Sequence, residues 1–304
     1  LTAAQPVVPG FDRFPHDTPA DQIAAGEVLI NELNCIACHT ADKQQSHRFE
    51  ARPAPVLFTT HNPVSAGWLK RWLNDPHNLK PGTLMPDLLH GLNKKNKANV
   101  VEALRHYLVS LTPPLGNRAV LIGDANKGKK LYETIGCAQC HAPDAKDNGK
   151  DFPLGELQQK YTQDQLIQFL LNPLHSRPAG RMPRLPMTPK EAAHITAFLR
   201  NRAPLRKDVI LANGQTAFKF RDEGKALYRK LRCVNCHATR GSNIPPNFSK
   251  PLAKLDLAQG CLSTKPPKGT PHFRLNTIQI KAITAALRAK PVELTVQRQT
   301  HRRM

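Results

Sequence analysis

Three stretches of this chain carry the same spacing of apolar positions. Leu29, Ile30 and Leu33, then Leu131, Tyr132 and Ile135, then Leu227, Tyr228 and Leu231 each recur at the interval that lines one face of a helix. A glycine stands three residues ahead of each leucine, at Gly26, Gly128 and Gly224. The corresponding leucines lie 102 and then 96 residues apart, so one unit occurs three times. Periodicity predicts a half-buried helix at the head of each unit. No run reaches the roughly 18 consecutive apolar residues of a membrane-spanning helix, and no transmembrane segment is expected.

The residues just after each helix are chemically specific. Six of the seven cysteines fall in three pairs, each trailed at once by histidine: Cys35, Cys38 and His39; Cys137, Cys140 and His141; Cys233, Cys236 and His237. This spacing is the attachment signature of c-type haem. Two thiols add across the two vinyl groups of the porphyrin, and the adjacent imidazole reaches the iron. A zinc site normally draws on two such pairs, which leaves no reason for a third, and a thioredoxin-like pair belongs to a strand–helix context that is absent. Ordinary disulfides do not account for the repeated phase of glycine, leucine and cysteine. The motifs predict three covalently bound haem c groups with His39, His141 and His237 as proximal ligands.

On these residues the chain resembles the class I cytochrome c family. The resemblance implies an all-α fold of three tandem small helical cytochrome c-like domains, each wrapped around one covalent haem. It also implies that a loop carries a methionine to the far side of the iron, and that a closing helix packs across the first helix. In the first copy Trp68 to Leu73 is a short helical stretch, Pro81 to Pro86 the loop with Met85, and Ala98 to Leu108 the closing helix. In the second, Gln165 to Leu171 is the short stretch and Gly180 to Pro183 the loop with Met182, with Met187 as a competitor. Its closing helix begins at Thr188, whose spacing to Glu191 makes a capping box with Pro189 in the first turn. Domains are expected at 20–112, 119–203 and 214–290, with linkers near 112–118 and 201–208. An N-terminal extension at 1–19 and a basic C-terminal tail at 291–304 lie outside the repeat.

The third copy diverges. Aligning Ile283 to Arg288 with Ile195 to Arg200 puts Thr270 where Met182 stands, and no methionine occurs between His237 and Met304. Cys261 or His272 is the expected distal ligand of the third haem, or else that iron is open. His61, His77, His90, His106, His175 and His194 are expected at the surface or behind the ligands.

Composition then narrows the function. Lys and Arg number 44 against 23 Asp and Glu, a formal charge of +21. That field favours an acidic redox protein or another cytochrome as partner. Nucleic acid is not expected, because no recognition motif is present. Aromatic residues make up only 6%, a deficit that an apolar cofactor in each core would offset. The chain begins at Leu1, which fits an exported precursor whose signal has been removed. The expected role is electron transfer in the periplasm, outside the cell or at its surface. A haem enzyme of peroxidase type with a reactive third haem is the rival. A conductive polymer is a further alternative, in which the terminal extensions dock on a neighbouring copy by self-association.

Overall fold

The computed structural model describes residues 5–43, 45–52, 54–57, 64–111, 121–141, 154, 157–178, 180–201, 213–237 and 249–289. The tail at 291–304, the linker at 112–118, residues 202–208 and His61 lie outside the described residues. Among the described residues the fold is helical, with one isolated antiparallel bridge between Asp87 and His272. In chain order the helices are α1 (Pro19–Glu32), α2 (Ala66–Asn74), α3 (Pro76–Leu79), α4 (Lys94–Ser110), α5 (Ala125–Thr134) and α6 (Leu157–Lys160). They continue with α7 (Gln163–Leu171), α8 (Pro173–Ser176), α9 (Pro189–Arg200), α10 (Gly214–Lys230), α11 (Cys233–Cys236) and α12 (Thr277–Arg288).

Local signals account for most of the boundaries. Thr188 caps α9 through a reciprocal pair: its hydroxyl accepts from the Glu191 amide at 3.2 Å and the Glu191 carboxylate accepts from the Thr188 amide at 2.7 Å. α7 and α12 start on the same device, with Thr162 paired to Gln165 and Asn276 paired to Gln279. Each cap satisfies amide groups that a helix start leaves without partners. Pro76 and Pro173 stop α2 and α7 by starting the short α3 and α8.

The chain divides into two compact units, one comprising Leu1–Arg52, Asp75–Asn93 and Ile244–Met304, the other Pro53–Asn74 and Lys94–Asn243. In the first unit α1 crosses α12, and the contact is backbone to backbone. A Cβ at Gly26 would collide with the Ala282 carbonyl oxygen, so glycine is what permits the approach. Ala25, Leu29, Ile30, Ala282, Ile283 and Ala286 fill the seam and are essentially inaccessible. Arg48 is buried beside it and donates to Glu27 at 2.8 Å and to the Ala286 and Ala289 carbonyls at 2.8 and 3.2 Å. Its guanidinium thereby satisfies the last carbonyls of α12, where a cation also complements the helix dipole. Residues of the N-terminal extension belong to this unit's core: Val8 and Phe11 are buried, and the Gln279 side chain donates to the Pro6 carbonyl at 2.9 Å.

The second unit holds two helix pairs of the same kind. α5 crosses α9 where Gly128 meets the His194 carbonyl, and α10 crosses α4 where Gly224 meets the Ala103 carbonyl. An aromatic contact flanks each crossing, Tyr132 with Phe198 and Tyr107 with Tyr228, both at 5.4 Å between ring centroids. α2 packs in this unit against α4 and α6.

The three repeat glycines therefore mark three crossings, but the partners do not follow the linear order of the copies. The second copy closes on itself. The closing helix of the third copy, α12, packs on the first helix of the first copy, while α4 of the first copy packs on α10 of the third. Contiguous packing domains at 20–112 and 214–290 are replaced by this exchange. The physical reason is that all three seams use a glycine against a small-residue helix, so the pattern of apolar positions selects the buried face and leaves the partner open.

A methyl group at Gly26 or Gly224 should wedge one exchanged pair apart. Gly26→Ala and Gly224→Ala are each expected to cost about 1–3 kcal/mol, as overpacked cores do, read from thermal melting of the ellipticity. A Gly26→Ala protein as stable as its parent would mean that α1 and α12 do not cross at this residue.

Candidate haem-attachment sites

The three motifs share one backbone device. The residue before the first cysteine is left-handed in every copy: Asn34 at φ 55°, Gly136 at φ 99° and Arg232 at φ 61°. This residue ends the incoming helix and turns the chain into a single tight turn. The amides of His39, His141 and His237 donate to the carbonyls of Cys35, Cys137 and Cys233 at 3.1, 3.0 and 2.9 Å. One helical turn brings the two cysteines to the same side with histidine directly after, the arrangement that two thioether bonds and an axial imidazole require.

Each turn faces an apolar core. Cys35 and Ile36 pack on the cluster of α1 and α12, Cys137 is buried among residues of α5, α7 and α9, and Cys233 packs with Leu104, Tyr107, Tyr228 and Val234. Burial pushes the Cys137 thiol up and the Cys233 thiol up to about 12.

The imidazoles are held from behind. His39 Nδ1 lies 2.7 Å from the Lys250 carbonyl oxygen and His237 Nδ1 lies 2.9 Å from that of Pro55. A carbonyl accepts only, so Nδ1 carries the proton and Nε2 keeps the lone pair that iron needs. Burial lowers the His237 pKa, which favours the same neutral form. The backbone at the second and third histidines is fixed as well, since Tyr132 and Tyr228 donate to the carbonyls of His141 and His237 at 2.7 and 2.6 Å. Ile30 occupies the matching position in the first copy.

These supports show the exchange again. Lys250 belongs to the third copy and supports the first motif, and the Leu252 amide donates to the Thr40 carbonyl at 3.0 Å. Pro55 belongs to the first copy and supports the third motif, and the Ala54 amide donates to the Cys236 carbonyl at 3.2 Å. After motif one, Pro53–Asn74 and α4 lie in the unit of motif three, while Asp75–Asn93 stay with motif one; after motif three, α12 and the segment with Lys250 lie in the unit of motif one.

The expected distal ligands are distributed accordingly. Met182 packs on the core around Cys137, and so does its competitor Met187. Met85 lies in the same unit as the first motif, next to Leu84, which packs on the core shared with Cys35. Cys261 and His272, expected at the third haem, both lie in the first unit, whereas Cys233, Cys236 and His237 lie in the second. Burial pushes the Cys261 thiol up to about 11, with Cys38 adding to the effect, so Cys261 neighbours the first motif. Leu262 beside it packs on the first core. His272 exchanges backbone bonds with Asp87 at 2.9 and 3.1 Å, and its ring meets His90 edge-on at 5.1 Å. Register predicted the third site for these two residues; the exchange carries them to the first.

Of the remaining histidines, His77 is buried and its Nε2 lies 3.2 Å from the His272 carbonyl. His106 is buried too, stacked on Phe220. His194 Nδ1 accepts from the Asp124 amide at 2.8 Å, while His175 is exposed.

One candidate residue lies outside every motif. Arg105 on α4 is 1% exposed; it pairs with Glu102, and its Nε and Nη1 find no acceptor among the described residues. It shares a helix face with Val101, Leu104 and Leu108, and a cation on an apolar stripe was the available signal. Leaving a buried charge half-bonded is costly, and a carboxylate such as a haem propionate would relieve it. Thiols in apolar cores, imidazoles held by Nδ1 and this arginine together fit haem. They do not resemble a bare-ion site: among the described residues no three His, Cys, Asp or Glu side chains converge as metal ligands.

Comparison with known proteins points the same way. Residues 125–203 match the cytochrome c family model. This second copy is a cytochrome c domain, and such a domain implies covalently bound haem c. The chain is also similar to cytochrome c oxidase subunit 2 of Bacillus subtilis (strain 168), 31% identical over 100 residues, which is 30% of this chain and 27% of that protein. Subunit 2 from Bacillus sp. (strain PS3) is 31% identical over 97 residues, 28% of this chain and 25% of that protein. The chain thus spans about a quarter of the length of these curated relatives. No solved structure matches.

The left-handed turn gives a graded test. Nothing lies within 4 Å of a Cβ at Gly136, so substitutions there meet backbone strain alone. Gly136→Val should cost about 1–2 kcal/mol, and Gly136→Asn clearly less, because asparagine tolerates this conformation. Urea unfolding that ranks the two variants equally would contradict the turn geometry.

Proposed function

We propose that the chain is a multihaem c-type cytochrome that carries three covalent haem c groups and transfers electrons between redox partners outside the cytoplasm. The observation that carries this reading is the repetition of one attachment turn three times, each after a left-handed residue and each against an apolar core. Haem supplies a reversible one-electron couple when bound. The chain's own residues do the rest. Cys35, Cys38, Cys137, Cys140, Cys233 and Cys236 tether it, and the carbonyls of Lys250 and Pro55 aim the imidazoles of His39 and His237. Met182 would ligate the second haem and Met85 the first, and a thioether there would favour the reduced state and raise the potential. The formal charge of +21 suits an acidic redox protein or another cytochrome as partner. No helix among the described residues is long and apolar enough to cross a membrane.

A reactive third haem is the second reading, and one placement favours it. Cys261 and His272 both lie in the unit of the first motif, and Met182 and Met187 both pack on the second core. None of the ligands weighed for the third haem is then left for it. The polymer reading loses one of its two docking segments, because residues 5–19 are folded into the first unit.

Mass spectrometry under denaturing conditions should show the bare chain plus three haem masses; the bare mass alone would end the proposal. Met182→Ala should lower the potential of one haem and open it to added ligands, with loss of the sulfur-to-iron absorption band. If reduced wild type binds one carbon monoxide per chain, the third iron is open and the enzyme reading gains.

A further inference from the structure

Both tryptophans of the chain lie on α2, one turn apart, and the structure stacks them. The Trp68 and Trp72 rings are 5.0 Å apart between centroids at 14°, offset aromatic packing of the favourable kind. Their location is more telling than their geometry. α2 comes from the first copy, yet it lies in the second unit, between the two motif-bearing cores of that unit. Val64, just ahead of the helix, packs on the core that contains Cys137. Leu73, at its other end, packs on the core that contains Cys233.

The seat is a made one. The Ser65 hydroxyl donates to the Gln159 carbonyl at 2.6 Å, the Ser65 amide donates to the Lys160 carbonyl at 2.9 Å, and Arg71 donates to the Gln159 side chain at 2.6 Å. On the other side Lys70 pairs with Glu102 of α4 at 3.8 Å. From the second core outward, side-chain contacts lead to both indoles, and the residue after Trp72 packs on the third core. Phe169 stacks on Tyr161 at 5.9 Å, Lys160 Nζ lies 4.9 Å from the Tyr161 centroid and 4.7 Å from that of Trp68, and Trp68 stacks on Trp72. Leu73 then reaches the cluster of Tyr228, Val234 and Cys233.

We propose that the Trp68–Trp72 stack is the electronic bridge between the second and third haem sites. The proposal rests on the reading of both motifs as haem sites. Electronic coupling through protein falls steeply with every through-space gap, and two stacked indoles in a packed chain of side chains replace gaps with contact. One electron passes from one site to the other, oxidising the donor site and reducing the acceptor site by one equivalent, and both indoles end unchanged. The matching helix of the second copy, α7, carries Gln165 and Phe169 at the positions of Trp68 and Trp72, so a stacked indole pair is no requirement of the helix as a packing element.

The test uses the full haem-loaded chain, reduced at one site by a light pulse and followed by transient absorption. Trp68→Leu with Trp72→Leu should slow equilibration between the second and third sites about tenfold or more while haem content and midpoint potentials stay as in the parent. The single Trp72→Phe variant should fall between. A second readout needs no transfer: the tryptophan excited-state lifetime should lengthen when Cys137 and Cys140 are replaced by alanine, and also when Cys233 and Cys236 are. If the double leucine variant fails to hold three haems, the Trp→Phe singles and the lifetimes decide. An unchanged rate in the haem-replete variants, or a lifetime that responds to one site alone, would overturn the bridge and leave the stack a packing contact. Absence of covalent haem would instead overturn the underlying reading of the sites.

Discussion

The structure depends on how closely two helix backbones can approach. Each helix that leads into an attachment motif carries a glycine at the point where a closing helix crosses it, and in all three cases the opposing atom is a main-chain carbonyl oxygen. Glycine lowers helix propensity by about 1 kcal/mol relative to alanine, so its presence in three helix interiors is explained by the crossing and by nothing local. The crossing sets the angle at which each helix delivers its last turn. The left-handed residue and the two cysteines come within a few positions, and the geometry of the site is inherited from the seam.

Much of this was legible in the sequence. The attachment motifs, the leading helices, the short helices before the loops and the capping box at Thr188 are local signals, and local signals survive any rearrangement of partners. The repeat glycines were visible as a phase; that they mark crossings required the structure. Pairing was not legible. Leu29 and Ile30 specify a buried face that Ala282 and Ile283 fill as well as α4 would, because both closing helices present small or branched residues at the seam. The misplacement of Cys261 and His272 has the same origin. Linear register within the third copy puts both residues beside that copy's own motif, which holds only for a copy that closes on itself.

The exchange also changes what a site is made of. The first motif takes the carbonyl behind its histidine from Lys250 and its closing helix from α12; the third takes the carbonyl from Pro55 and its closing helix from α4. Neither motif has its full surroundings until distant parts of the chain have met, so the first and third copies share in building each one. The second copy differs in kind. It closes with its own helix and keeps its own methionines. It is also the stretch that matches the family model.

Buried charge obeys the same logic of completion. Arg48 sits at the end of an exchanged seam with every donor directed at Glu27 or at the last carbonyls of α12, and it needs nothing further. Arg105 sits beside the other exchanged seam with one group paired and its Nε and Nη1 without an acceptor among the described residues. A charge removed from water costs several kcal/mol unless hydrogen bonds replace the solvent, so the two arginines cannot play the same part. Arg48 is a fastener between helices. Arg105 has one carboxylate partner, Glu102, and keeps donors to spare on the helix that supplies Leu104 to the core of Tyr228 and Cys233.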